Sequence, residues 1–147
     1  MNLFRALSRS VLVCLCCGLA LSAAPRDRPQ DHPIPLASRE VGEDVAAKES
    51  IEKYYRFSAG PGVLSLTLDM QTESGTMIDY EVQVFDRKWN SLLKAFDVLG
   101  NSATKRLVKE IKLKKAQDLI LKITAKSSWG TGNYRVRLDG PLHLSER

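Results

Sequence analysis

The side chains in this sequence whose types could do chemistry are mainly carboxylates. Asp69, Asp79, Glu81 and Asp86 follow one another over a short stretch. A pair of carboxylates can hydrolyse a glycosidic bond when both line a cleft at a defined separation. These four fall on the polar positions of alternating segments or in a turn, which favours a solvated surface. A small carboxylate-dependent hydrolase is therefore the least expected function.

Histidine and serine chemistry has little support in the pattern. The chain has two histidines, His32 in a proline-rich segment and His143 near the C-terminus. A Ser-His-Asp nucleophile needs its histidine held on a rigid scaffold, and neither position predicts one. The sequence also contains no phosphate-binding P-loop and no HExxH zinc motif. We therefore expect a protein that is not an enzyme.

Two of the acidic residues are candidate calcium ligands. Asp79 and Asp86 flank a predicted central strand, and Glu40, Glu43 and Asp44 cluster earlier in the chain. Calcium takes six to eight oxygen ligands, often from carboxylates and loop carbonyls. The sequence has no Asp-x-Asp-x-Asp-Gly loop. No cofactor is expected, and a calcium ion at Asp79 and Asp86 is the alternative.

Positive charge is concentrated in the C-terminal half. The formal net charge is +5, and residues 105–126 carry most of the excess. Lys112, Lys114 and Lys115 are candidate ligand-binding residues in an anion-binding patch for polysaccharide, lipid headgroup or nucleic acid. The alternative is a solubilising face whose edge lysines oppose aggregation. Because no aromatic residue is interleaved with these charges, as nucleic-acid sites usually require, no nucleic-acid partner is expected.

Two tryptophans lie in polar segments rich in turn residues. Trp89 follows Asp86-Arg87-Lys88, and Trp129 stands in a predicted loop over residues 127–132. An exposed tryptophan can stack on a sugar or anchor a protein partner. Either ring could equally cap the core of the domain. Both are candidate ligand-binding residues.

The N-terminus has the features of an export signal. Arg5 and Arg9 precede an uncharged apolar stretch over residues 10–24, too short for an ordinary membrane span. All three cysteines of the chain, Cys14, Cys16 and Cys17, lie in this stretch. We expect residues 1–24 to be a cleaved signal peptide, which leaves a mature chain with no cysteine and no membrane span. A retained anchor, a buried helix and lipidation of a cysteine are the alternatives.

The remaining chain divides into three parts. Residues 25–35 contain four prolines and predict an extended linker. Residues 36–139 form the predicted domain. Residues 140–147 are polar and predict a frayed tail.

Period-2 alternation dominates the predicted domain. Apolar residues alternate with polar ones over 54–59, 63–71, 78–85, 119–125 and 134–138, and turn residues lie between these segments. Weaker strand patterns cover residues 34–41, 92–99 and 105–113. Because no long helical period interrupts them, about eight short strands predict an all-β fold, a two-sheet antiparallel sandwich like a jelly roll.

Several segments resemble the bacterial pre-peptidase C-terminal (PPC) domain. Residues 52–62 (EKYYRFSAGPG), 64–68, 79–86 (DYEVQVFD) and 132–138 (GNYRVRL) are similar to its successive strands. Two features depart from that pattern. Glu81 replaces an aspartate, and residues 116–123 lack the glycine and tyrosine that precede a later strand. These departures weaken any transfer of the calcium or collagen binding that some relatives show.

The resemblance implies a jelly-roll accessory module of a secreted protein. We therefore expect a stand-alone exported binding module, periplasmic or extracellular, whose partner is a polysaccharide or an envelope protein. The alternative is a protein-interaction subunit of an envelope enzyme or assembly.

Overall fold

The computed structural model describes residues 28–100 and 104–144. Within residues 91–100 it describes the whole backbone and the side chains of 91–93 and 96. The predicted signal peptide over residues 1–24, with its cysteines, lies outside the described residues. In the described part, no helix is both long and apolar enough to cross a membrane.

The described chain is built almost entirely of strands, preceded by a single 3₁₀ turn at Pro29–Asp31. In chain order the strands are β1 (Ile34–Pro35), β2 (Glu40–Val45), β3 (Ser50–Ala59), β4 (Gly62–Thr72), β5 (Met77–Asp86), β6 (Ser91–Gly100), β7 (Lys105–Leu113), β8 (Gln117–Trp129), β9 (Gly132–Asp139) and β10 (Leu142–His143).

The strands form two sheets. The larger sheet has the order β1-β3-β8-β5-β6, with β10 also paired to β3, and the smaller sheet has the order β2-β9-β4-β7. Between β2 and β9, successive strands alternate between the sheets except for the β5–β6 hairpin, which stays within the larger one. This order is that of a jelly roll. The fold is an all-β, largely antiparallel two-sheet sandwich, which confirms the prediction.

The core lies between the sheets and follows the alternation of the sequence. Because successive side chains of a strand point to opposite faces, every second residue of β4 and β5 is buried. The inward positions that the sequence predicts on these two strands are at most 2% exposed: Leu64, Leu66, Leu68, Met70, Ile78, Tyr80, Val82 and Val84.

Several predicted boundaries differ from the structure. The segment 34–41 is two strands in different sheets, because Ile34–Pro35 pair in parallel with Tyr55–Arg56. The end of the predicted linker is therefore part of the larger sheet. The predicted loop 127–132 is strand as far as Trp129. In the predicted tail, Leu142–His143 pair with β3, so the chain remains ordered there.

Two ends of the sandwich can be distinguished. The hairpin end carries the connections at residues 60–61, 87–90, 114–116 and 140–141, and the opposite end carries those at 46–49, 73–76 and 130–131. A ten-residue strand such as β5 separates the two ends by about 30 Å.

Candidate functional site

The outer face of the larger sheet carries an aromatic residue that is buried without belonging to the core. Tyr54 points away from the core side of β3, yet it is only 6% exposed. The indole of Trp89 packs edge-on against its ring with centroids 5.7 Å apart. Lys122, its register partner on β8, holds its Nζ 5.9 Å from the ring centroid. The hairpin loop therefore folds back over this face.

Trp89 is placed by the turn of the β5–β6 hairpin. Its φ of 64° is left-handed, a conformation that non-glycine residues seldom adopt. Asp86 closes the turn, since its Oδ1 accepts hydrogen bonds from the backbone N–H groups of Lys88 and Asn90 at 2.8 and 2.9 Å. The ring also lies 5.5 Å from that of Phe85. One part of the indole is thus fixed, while 41% of the residue remains exposed.

The hydroxyl of Tyr54, the ring that Trp89 contacts, is held by a hydrogen bond to Glu52. The Tyr54 hydroxyl donates to Glu52 Oε1, and Lys122 Nζ lies 3.4 Å from the same oxygen. The hydrogen bond from Tyr54 lowers the pKa of the Glu52 carboxyl, and burial raises the pKa of the Tyr54 hydroxyl. Tyr54 therefore stays a protonated donor and does not act as a base near neutral pH.

A polar cavity of about 510 Å³ opens on the same face, beside the hairpin. Asp118 is one of its lining residues, and its Oδ1 accepts a hydrogen bond from Ser58 Oγ at 2.6 Å while Oδ2 lies 3.7 Å from Arg87 Nη1. Hydroxyl, carboxylate and guanidinium groups thus share one concave surface with apolar side chains. The lining residues are Asp31, Pro33, Arg56, Phe57, Ser58, Arg87, Asp118, Leu119 and Ile120.

Ser58, Asp118 and His143 stand in one row across three strands, because Ser58 is the register partner of both other residues. His143 was predicted to lie in a frayed tail, whereas it belongs to β10, which pairs with β3. The row is still not a nucleophilic triad. The Ser58 hydroxyl donates to the carboxylate, and among the described residues no hydrogen bond joins it to His143. Because its proton is directed to the carboxylate and not to an imidazole, the Ser58 hydroxyl is not activated as a nucleophile in this arrangement.

The three candidate lysines are brought together. Lys112, Lys114 and Lys115 line one open cavity of about 590 Å³ at the hairpin end. Leu92 of β6, which is 37% exposed, completes it. No ion pair in the described part of the chain involves these lysines.

The two candidate tryptophans are not brought together. Trp129 ends β8 opposite Met77, at the other end of the sandwich from Trp89. Both residues of this pair are prominent at the surface, with Trp129 67% and Met77 49% exposed. Trp129 therefore does not cap the core, and it cannot share a small ligand with Trp89.

The candidate calcium ligands also lie apart. Asp79 pairs with Lys126 on β8 and Asp86 with Leu119, so seven residues of strand, roughly 20 Å, separate them. The oxygens of Asp86 are engaged by the hairpin, and the side-chain hydrogen bond from Asn90 lowers the pKa of its carboxyl. Within residues 28–100 and 104–144, no group of three or more His, Cys, Asp or Glu side chains is arranged to hold a metal ion.

The carboxylates considered for hydrolysis lie on opposite sides of the molecule. Asp69 is on the outer face of the smaller sheet, where Arg106 donates to both of its oxygens at 2.5 and 3.0 Å. These hydrogen bonds lower the pKa of the Asp69 carboxyl. Glu81 is on the larger sheet and accepts a hydrogen bond from Gln83 at 2.7 Å. Asp69 thus shares no cleft with the residues of β5.

The residues of the polar cavity were not predicted from the sequence. Arg56, Ser58 and Asp118 occupy polar positions of alternating strands, as most surface residues do. The antiparallel register of β3 with β8, which places Ser58 opposite Asp118, brings them together. The alternation of polar and apolar residues in both strands predicts which side chains share a face of the sheet. It does not predict which residue of one strand lies opposite which residue of the other.

The sequence matches no protein-family model and no curated protein. Among solved structures, the fold is similar to a carbohydrate-binding module, CBM61, in complex with β-1,4-galactotriose, at 15% identity and a TM-score of 0.48 over 69% of each chain. It is also similar to a CBM4 module, at 9% identity and a TM-score of 0.35 over 76% of this chain and 86% of that one. A structure of infectious bursal disease virus, Gt strain, gives 11% identity and a TM-score of 0.37 over 71% of this chain and 30% of that one. Because one fold hosts many functions, likenesses of this degree name no ligand.

Proposed function

We propose that this protein is a non-catalytic binding module that takes a polysaccharide on the outer face of its larger sheet, beside Trp89. The observation that carries the proposal is the half-exposed indole, held by Tyr54 and Phe85 next to the polar cavity. Sugars are bound by an aromatic ring that packs on their apolar face and by polar groups that take their hydroxyls. Trp89 supplies the first element, and the cavity around Asp118 supplies the second.

Pre-organisation supports the same reading. A binding surface loses less entropy when its side chains are already ordered. Asp86 fixes the turn, the two aromatic rings fix the indole, and a hydrogen bond from Ser58 orients the carboxylate of Asp118.

The proposal includes export of the protein from the cytoplasm and kinship with PPC domains. The apolar stretch of residues 10–24 behind two arginines supports export to the periplasm or the medium. The segments similar to PPC domains support an accessory role in the cell envelope.

The test is a comparison of two tryptophan variants against a panel of soluble polysaccharides. We expect affinity electrophoresis to find a retarding polysaccharide, and Trp89→Ala to weaken its binding by about tenfold or more, because the stacking surface is lost. Trp129→Ala is the matched control, since it removes an exposed indole from the opposite end. Far-UV circular dichroism checks that both variants fold. Binding that survives Trp89→Ala, or a panel with no binder, would contradict the proposal.

A protein partner is the second candidate function. It is favoured by the adjacent exposure of Trp129 and Met77, an apolar pair at the end away from the polysaccharide surface. Large exposed apolar side chains in contact often mark protein interfaces. Tagged protein recovered from the envelope of its own host should then retain a defined partner that Trp129→Ala releases and Trp89→Ala does not. Equal recovery with both variants would remove this candidate.

A further inference from the structure

The lysine cavity at the hairpin end combines positive charge with apolar surface. Lys112, Lys114 and Lys115 line it together with Leu92, Ile111, Leu113 and Gln117. All three lysines are exposed, and they lie at the end of β7 and in the turn that follows it. Three ammonium groups thus border one open, partly apolar surface.

A β-bulge supplies the apolar wall of this cavity. In the pairing of β5 with β6, the register runs from Val84 opposite Leu93 to Phe85 opposite Ser91, so Leu92 has no partner. An unpaired residue in a bulge is re-aimed, and bulges at sheet edges often serve binding sites. The bulge thus places Leu92 beside the lysines.

None of the ion pairs in the described part of the chain involves the three lysines. Asp86 and Asp118 keep their negative charges at this end, but their oxygens contact the turn, Ser58 and Arg87. Three lysines without an ion-pair partner are therefore left around a shallow cavity with a partly apolar lining. Such a surface concentrates anions, and salt weakens the effect.

The hairpin joins this cavity to the proposed sugar surface. Arg87 lines the polar cavity on one side of it, Leu92 lines the lysine cavity on the other, and Trp89 stands between them in the chain. Gln117 and Asp118 point to opposite sides of β8 and line one cavity each. Both cavities lie at the hairpin end, so a polysaccharide of several sugars that covers Trp89 and passes over the hairpin can extend to the lysines.

We infer that the polysaccharide is acidic, and that Lys112, Lys114 and Lys115 bind its uronate carboxylates or sulfate esters while Trp89 packs against a sugar ring. This inference rests on the proposed function and names its ligand class. Lysine suits the task, because its flexible ammonium groups act as point charges that follow an irregular row of anions.

The experiment compares polygalacturonate and chondroitin sulfate with neutral galactan, using the whole protein. The test variant replaces Lys112, Lys114 and Lys115 by Gln. The control variant replaces Lys48, Lys105 and Lys126 by Gln, which removes the same charge from exposed positions at or near the opposite end. Thermal melting confirms that both variants fold.

We expect the acidic polymers to bind more tightly than galactan, and the test variant to lose about tenfold in affinity for them while the control variant changes by less than about twofold. Binding of the acidic polymers should weaken as NaCl rises from about 0.05 to about 0.5 M. Equal losses in the two variants would show attraction by net charge only and overturn the inference.

The failures of the two proposals are distinguishable. In one outcome, galactan binds as tightly as the acidic polymers, and its binding is lost in Trp89→Ala and kept in the lysine variant. That result would overturn the inference of an acidic ligand and leave the proposed polysaccharide-binding function in place. Absence of binding to every polymer overturns both. Tighter binding of single-stranded DNA than of either acidic polymer overturns the inference in favour of a nucleic-acid ligand.

Discussion

The carboxylate of Asp86 holds Asn90 by two contacts, a hydrogen bond from the backbone N–H at 2.9 Å and one from the side-chain amide at 2.7 Å. These contacts close the turn in which Trp89 adopts its left-handed backbone. The position of the exposed indole in the proposed binding surface therefore depends on a carboxylate that lines neither of the two cavities.

Replacing Asp86 by Ala should release Trp89 from the outer face. The chain has two tryptophans, so the substitution Trp129→Phe leaves Trp89 as the sole reporter. We expect Asp86→Ala in this background to shift the tryptophan emission to longer wavelength, because the indole leaves Tyr54 and Phe85 for water. Asp79→Ala, on the same strand but outside the turn, is the control. An unchanged spectrum in Asp86→Ala would contradict this role.

The same turn should respond to acid. The side-chain hydrogen bond from Asn90 lowers the pKa of the Asp86 carboxyl in the folded protein. A carboxyl with a lowered folded pKa stabilises the fold above its unfolded pKa, about 3.9, and loses that contribution as the pH falls through the folded value. We expect the emission of Trp89 to be constant down to about pH 4 and to shift below it. In Asp86→Ala this acid shift should be absent.

How far the sequence predicts this fold is clearest on β4 and β5. Their apolar residues alternate without interruption, and burial follows the alternation residue by residue. The end of β8 was missed for the opposite reason. Ser127 is a polar residue in a core position, 4% exposed, and its hydroxyl donates to Gly130 O at 2.8 Å. In the sequence, a serine at this position is typical of a loop, although in the structure it is buried and its hydroxyl has a local hydrogen-bond partner.

The candidate site was predictable only in part. The clustering of the three lysines follows from their closeness in the chain. The exposure of Trp89 and Trp129 does not, because the sequence left binding to a ligand and capping of the core as alternatives. The burial of Tyr54 does not, because Trp89 covers it from a loop far along the sequence. The contribution of Leu92 depends on a bulge, and the pairing of Ser58 with Asp118 depends on strand register. All three depend on contacts between residues that are apart in the chain, which the alternation of polar and apolar residues does not predict.

Removing one hydroxyl from the core should stabilise the protein. Tyr134 is 1% exposed, and its Oη has no hydrogen-bond partner among the described residues. A buried polar atom without a partner costs about 1–3 kcal/mol. We therefore expect Tyr134→Phe to raise the free energy of unfolding by about 1 kcal/mol, measured by urea denaturation.

Tyr80→Phe is the matched control for this substitution. The two rings pack edge-on with centroids 6.1 Å apart, but the Tyr80 hydroxyl donates to Asn133 O at 3.4 Å. Burial raises the pKa of Tyr80 to about 12, so it remains a donor through ordinary buffers. Tyr80→Phe should leave stability unchanged or lower it slightly. A loss of stability in Tyr134→Phe as large as in Tyr80→Phe would mean that the Tyr134 hydroxyl has a partner in solution.

Alanine substitutions at Gly130 and Gly75 distinguish the cost of backbone strain from the cost of a steric clash. Both glycines are left-handed, with φ of 79° and 80°, so alanine is strained at either position. A Cβ at Gly75 meets nothing within 4 Å, whereas one at Gly130 lies about 2.4 Å from Thr76 Oγ1 and 3.1 Å from its Cβ. Thr76 is 2% exposed and cannot readily move aside.

We expect Gly75→Ala to cost about 1 kcal/mol from backbone strain alone and Gly130→Ala to cost about 1–3 kcal/mol more, as overpacking does in a closed site. The measurement is urea denaturation of both variants beside the unmodified protein. The double variant Gly130→Ala, Thr76→Ala removes the Thr76 Oγ1 that lies nearest to the new Cβ, so it should be less destabilised than the sum of the Gly130→Ala and Thr76→Ala effects. Equal destabilisation by the two single substitutions would show that the contact between Gly130 and Thr76 does not constrain the β8–β9 turn.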